Sequence, residues 1–320
     1  MLWPVELDAA REVSVEVRTE DAHGARGSLR LEVPEGWQVQ PARVPFDFSG
    51  PGESRAFTFR VTRTTAAPGR HEFVPVAELE DGRVFREGYN LIEYPHIDRV
   101  AFFEPAATRV SLASVRATAG LRVGYVMGSG DDGLDALRQI GVEVEPVDAV
   151  RLQQGELDDF DVLVLGIRVY ETQPEVAAAN EAILDFARSG GTVVVQYNKY
   201  EYPEGEFAPY RLSMRPRAPR VTDEGSPVRI LDPASPLVTG PNALDLSDFE
   251  GWVQERGLYF IAEWDERYMP QLAFTDPGED EALGSLLVAP VGQGLYLYTG
   301  ISFFRQFPAG VPGAYRLFAN

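Results

Sequence analysis

The chain has 320 residues, of which 44% are hydrophobic and 24% charged, the balance of a globular protein with room for two cores. Its 49 acidic residues against 29 basic ones give a formal net charge of −20, a surface that repels phosphate backbones and anionic lipid and so excludes nucleic acid and membranes as expected partners. It contains no cysteine, which removes disulfides, zinc–thiolate sites and cysteine nucleophiles, and its three histidines, His23, His71 and His96, are not at metal-binding spacing.

Residues 1–95 read as an all-β, immunoglobulin-like sandwich. Apolar and polar residues alternate over 13–17, 28–33 and 56–61, the period of strands with one buried face, and Pro/Gly turns separate them. His23 and His71 fall in or beside turns. Residues 96–119, with Pro105 and a run of small and polar residues, read as a linker that carries His96.

From residue 120 strands and helices alternate: strand 121–127, helix 133–140, strands 142–147 and 161–166, helix 173–188, strand 192–197. This order predicts a flavodoxin-like α/β domain over 120–320, with a doubly wound, mainly parallel sheet. A hairpin is expected over 285–299, around Gly292 and Gly294, and 313–320 reads as the start of a helix without a cap, as in a fragment of a longer gene product. No stretch suits a transmembrane helix and the first residues do not form a signal peptide; the compartment stays open.

The loop after the first of these strands is a literal G-x-G-x-x-G, Gly128, Gly130 and Gly133, and Asp148 follows at the distance of a ribose-binding acid. Dinucleotide binding is one reading. Asp131 and Asp132 oppose it, because they stand where a pyrophosphate would need bare N–H groups, and helix capping by either aspartate explains the loop as well.

The stretches 126–132, 166–170, 191–198, 251–260 and 303–320 carry a resemblance. Over about 121–320 the chain resembles the amidotransferase-like domain at the C-terminal end of long bacterial PIG-L family deacetylases, and more distantly ThuA-like proteins and class I glutamine amidotransferases. Through 31–41, 51–54 and 67–71 the first domain resembles the small β-sandwich associated with bacterial α-galactosidases. The resemblance implies a parent polypeptide with an upstream zinc deacetylase domain, acting on N-acetyl sugars, whose His-Pro-Asp-Asp and His-x-x-His elements are absent here. No cofactor or metal is therefore expected in this chain. Class I amidotransferases place a cysteine after the strand corresponding to 193–197; this chain has Gln196, Tyr197 and Asn198 there, and no histidine beyond residue 96.

In a doubly wound sheet ligands gather beyond the carboxyl ends of the strands. The residues expected to line that cleft are Asp131, Asp132, Arg168, Tyr170, Gln196, Tyr197 and Asn198, a mixture of donors and acceptors suited to polyhydroxyl ligands. A structural alternative pairs Arg168 with Asp131 or Asp132 as a staple between two loops. Trp252, Tyr259, Phe260, Trp264 and Tyr268 offer sugar-stacking faces or core, and Glu255, Glu263 and Asp265 invite a paired-carboxylate reading. Three functions follow: a non-catalytic accessory region that recognises carbohydrate for, or stabilises, a linked deacetylase domain; an independent carbohydrate-active hydrolase using Asp131 or Asp132 with Arg168; and dinucleotide binding at 128–133.

Overall fold

The computed structural model describes residues 1–98 and 100–320. The chain divides into two compact units, one of residues 1 and 3–113, the other of residue 2 and 114–320.

In the first unit the alternating stretches become long antiparallel strands. Arg11–Arg18 pairs with Ser54–Arg63, and Ser54–Arg63 with Trp37–Gln40, to make a three-stranded sheet. Thr108–Ala113, Gly69–Leu79, Ala25–Glu32 and Val44–Phe48 run side by side in the larger sheet. Residues from both sheets, among them Val13, Leu29, Trp37, Phe46, Phe59, Phe73 and Val110, share one core, which makes this unit a β-sandwich. His71 lies in a strand rather than a turn; its Nδ1 accepts the Trp37 indole N–H at 3.3 Å and its Nε2 donates to the Ala67 carbonyl at 2.9 Å.

Residues 96–119 do not form a linker. Ile97–Pro105 pairs with Glu87–Tyr94 as a separate two-stranded sheet, and Thr108–Ala113 is a strand of the sandwich. Pro95 and Pro105 mark the ends of strand segments here, where proline is tolerated because it is not needed as a ladder donor. The separate hairpin leaves Ile92, Tyr94, Ile97, Val100, Phe102 and Phe103 exposed.

The second unit holds a seven-stranded sheet in the order Glu143–Pro146, Arg122–Val126, Val162–Leu165, Thr192–Val195, Gly294–Thr299, Leu286–Val291, Met269–Pro270. Neighbours among the first five pair parallel, and the last two pairings are antiparallel. The domain is therefore not the flavodoxin-like, doubly wound fold expected from the strand–helix alternation. Strands account for 37% of the chain and helices for 18%, in several sheets. The sheet is mixed, and two further antiparallel pairs stand outside it: Leu212–Ser213 with Glu263–Trp264, and Val228–Ile230 with Leu272–Phe274. The physical cause lies in 199–285. A run of prolines, including Pro203, Pro209, Pro216, Pro219, Pro227 and Pro233, breaks any long helix there. Short strands, turns and single helical turns take the place of the covering helices that a doubly wound domain needs.

The carboxyl ends of three parallel strands reach the same level, since Val126 is in register with Leu165 and Leu165 with Val195. Beneath them a core of Leu163, Leu165, Val193, Val195, Tyr202, Tyr296 and Tyr298 is almost wholly shielded from water. The loops 127–132, 166–168 and 196–200 leave this rim together.

Candidate strand-end site

The glycines of the first loop serve close packing. A Cβ on Gly128 would stand 2.0 Å from the Ile167 carbonyl oxygen, and one on Gly133 would stand 2.2 Å from the Tyr125 hydroxyl. Only glycine lets the loop lie against 166–167, where Ser129 N–H donates to the Ile167 carbonyl at 2.9 Å. Gly130 has φ of 88°, the left-handed turn that brings Asp131 inward.

Asp131 is the hub of the loop. One carboxylate oxygen accepts the Gly133 N–H at 2.8 Å and the Tyr125 hydroxyl; the other accepts the Ile167 N–H at 3.1 Å. Gln196 Nε2 then donates to the Tyr125 hydroxyl oxygen at 2.8 Å. Burial, reinforced by the neighbouring Asp131 charge, holds the Tyr125 phenol well above its ordinary value, so it stays a proton donor. The backbone N–H groups that a phosphate would require are thus taken by the chain's own carboxylate, which argues against a pyrophosphate seat at 128–133. Asp132 occupies the N-cap position of the Gly133–Gln139 helix but makes no side-chain cap bond, and it is exposed. Asp148, at the ribose-acid spacing, caps the next helix by accepting the Arg151 N–H at 2.9 Å.

The proposed Arg168 staple is corrected as well. Arg168 donates twice to Glu171, at 2.8 and 2.6 Å, and Lys199 Nζ donates to the same carboxylate at 3.0 Å. Asp131, accepting the Ile167 N–H, and the Ser129 N–H on the Ile167 carbonyl tie the two loops instead. The Arg168 guanidinium, with help from Lys199, holds the Glu171 carboxyl at about 2.

Of the other expected cleft residues, three face inward. Tyr170 is buried, stacks on Phe207 with ring centroids 4.5 Å apart and donates to Asn180 at 2.7 Å. Asn198 accepts the Tyr170 N–H at 3.2 Å and donates to the Gln196 carbonyl at 2.9 Å. Gln196 and Asn198 are each 1% exposed, so both lock the strand end from within. Tyr197 differs. Its carbonyl accepts the Arg168 N–H at 2.7 Å, and its ring stacks on Phe304 at 5.6 Å and leans on Tyr259 at 5.5 Å. Its hydroxyl has no hydrogen-bond partner among the described residues, and burial raises its ionisation above the ordinary phenol. Arg168 and Tyr259 both hold non-glycine left-handed backbone, φ 56° and 50°.

Lys199, Glu171 and Phe304 were not singled out by sequence reasoning. The i, i+3 spacing of Arg168 and Glu171 on one helical turn was a usable signal for the first pair. Phe304 arrives from about a hundred residues downstream, with no local trace. Of the aromatics read as core or as sugar-stacking faces, Trp252, Phe260 and Tyr268 are core, whereas Tyr259 and Trp264 are partly open. The carboxylates that invited a paired reading are each engaged by an arginine: Glu255 by Arg305, Asp265 by Arg267 at 2.7 Å, and Glu263 faces Arg211 at 3.8 Å.

No cluster of three or more His, Cys, Asp or Glu is arranged to hold a metal among the described residues. No described helix is long and apolar enough to cross a membrane. A concavity of ≈ 160 Å³ bounded by Arg122, Glu143 and Asp159 sits at the amino ends of the parallel strands, away from the strand-end site.

No family model matches the chain, and no curated protein matches it. Solved structures similar in part include the cytoplasmic protein STM1381 of Salmonella typhimurium LT2, at 12% identity over 61% of this chain and 96% of that one, with a TM-score of 0.38. A cold-adapted β-galactosidase of Rahnella sp. R3 aligns at 15% identity over 62% of this chain and 31% of its own, TM-score 0.35. The exo-β-1,4-mannosidase Op5Man5 of Opitutaceae bacterium strain TAV5 aligns at 10% identity over 61% and 33%, TM-score 0.34. The chain spans about a third of those two glycosidases, and likeness at this level assigns neither fold nor function.

Proposed function

We propose that this chain is a non-catalytic accessory region of a PIG-L-type N-deacetylase, recognising or positioning carbohydrate for a linked catalytic domain. One observation carries the reading. At the strand end Asp131, Gln196 and Asn198 are taken up in holding the fold, while the hydroxyl of the buried Tyr197, without a hydrogen-bond partner among the described residues, is a phenol whose ionisation is raised rather than lowered. A group so placed neither accepts a proton nor attacks a carbonyl at neutral pH.

The test is deletion of this region from the parent polypeptide, with hydrolysis followed on a polymeric N-acetylated glycan and on the matching monosaccharide. The reading expects loss of turnover on the polymer with turnover on the monosaccharide retained. Equal turnover on both after deletion, or hydrolysis by the isolated chain, would contradict it.

A further inference from the structure

Tyr197 is the centre of an arrangement that no single stretch of sequence displays. Phe304 and Tyr259 flank its ring, both only partly buried, and Tyr200 meets Tyr259 edge-on at 5.6 Å to hold that ring in place. Near it stand Arg168, Glu171 and Lys199, whose side chains keep 34%, 25% and 27% of their surface in water. Glu255, also within electrostatic reach, is held by Arg305, which lies over the Phe304 ring at 5.0 Å.

The chemistry of this shelf is specific. Partly open aromatic faces attract the C–H faces of pyranose rings. Around them are groups with unused capacity: Arg168 has five N–H donors and Glu171 takes two of its bonds, and Lys199 has three and uses one. Charge is balanced within the site, since Arg168 and Lys199 share Glu171, Glu201 lies within electrostatic reach of Arg168, and Arg305 meets Glu255. An anionic or cationic ligand gains no unpaired partner here, but a neutral polyol meets donors and acceptors already fixed in place. The backbone adds an independent sign. Among the described residues, two of the four non-glycine residues with left-handed backbone, Arg168 and Tyr259, adjoin Tyr197, and strain of this kind gathers at binding sites.

We infer that Tyr259 and Phe304, packed on the buried Tyr197, form a stacking shelf for neutral pyranose units of an oligosaccharide, whose hydroxyls bond to Arg168, Glu171 and Lys199. The inference rests on the carbohydrate reading above and gives that reading a place and a ligand class.

Calorimetric titration of the full chain decides it, with hexasaccharides of β-1,4-linked glucose, mannose and N-acetylglucosamine, set against cationic glucosamine and anionic galacturonate oligomers. At least one neutral series saturates and the charged series bind more weakly. Tyr259→Ala and Phe304→Ala each weaken the neutral ligand about tenfold, the loss of one stacking contact, while Tyr259→Phe restores it. Phe102→Ala, on the exposed hairpin, leaves affinity unchanged, and matching thermal melts of the variants show that the fold is intact. Neutral binding that ignores both alanine variants overturns the shelf and spares the accessory reading. Tighter binding of a charged oligomer overturns the ligand class, and no binding of any hexasaccharide overturns the site. The deletion experiment on the parent judges the accessory role separately.

Discussion

Gln196 and Tyr197 are consecutive buried residues at the end of one strand, and they meet different partners. Gln196, with Asn198 two residues on, turns into the fold and is spent on the Tyr125–Asp131 hub and the start of the 169–172 turn. Tyr197 turns to the other face, where aromatic rings hold it and its hydroxyl is left without a partner. The two-residue period of extended chain is enough to separate a structural side from a binding side within three positions. A strand end rich in polar residues is therefore not one site. Each side chain has to be followed to its partners before it is given a role.

The structural side should be the more sensitive to change. Gly128→Ala puts a methyl group against a backbone carbonyl, which cannot swing aside, and is expected to cost about 3 kcal/mol or more, seen as a drop in the urea midpoint. Asp131→Ala leaves the Gly133 and Ile167 N–H groups and the Tyr125 hydroxyl short of their acceptor, for a loss of roughly 2–4 kcal/mol in the same measurement. Values near zero for both would mean that the loop is not the hub described.

The binding side should respond mildly. Glu171 is held at about 2 against an ordinary 4.5, so its ion pairs contribute stability that is fully present above 4.5 and is lost as pH falls toward 2. Glu171→Gln should remove that part of the acid-side slope, read from melting temperatures across this range, and lower neutral-pH stability by the same small, solvent-screened amount. An unaltered slope would show that the Arg168–Glu171–Lys199 contacts are not formed in solution. Smallest of all is Tyr197→Phe. It deletes a hydroxyl without a protein partner and should shift stability by no more than about 0.5 kcal/mol. A larger loss would move Tyr197 to the structural side of the comparison.

How much of this was readable beforehand differs along the chain. The alternation at 13–17, 28–33 and 56–61 maps directly onto strands 11–18, 25–32 and 54–63, because a half-buried strand writes its period into the sequence. The short apolar runs at 162–165 and 192–195 were equally plain. The class of the second unit was not, since 121–197 covers less than half of it and the proline-rich 199–285 answers to local breaks instead of a repeating pattern. Among the site residues, the shared rim of Asp131, Arg168 and Gln196 follows from where parallel strands end. Which groups pair does not: Arg168 chose the carboxylate three residues along its own turn over the aspartates across the loop. Tyr259 and Phe304 reach Tyr197 only through the folded chain, so the shelf could not be read in any window of sequence.

The comparison between the two faces is tested most directly by following backbone amide signals of the isotope-labelled chain during titration with a neutral β-1,4-linked hexasaccharide. The account predicts saturable shifts concentrated at Arg168, Tyr197, Lys199, Tyr259 and Phe304, with Asp131, Gly133 and Tyr125 left in place. Shifts centred on 128–133, or none at the Tyr197 shelf, would contradict it.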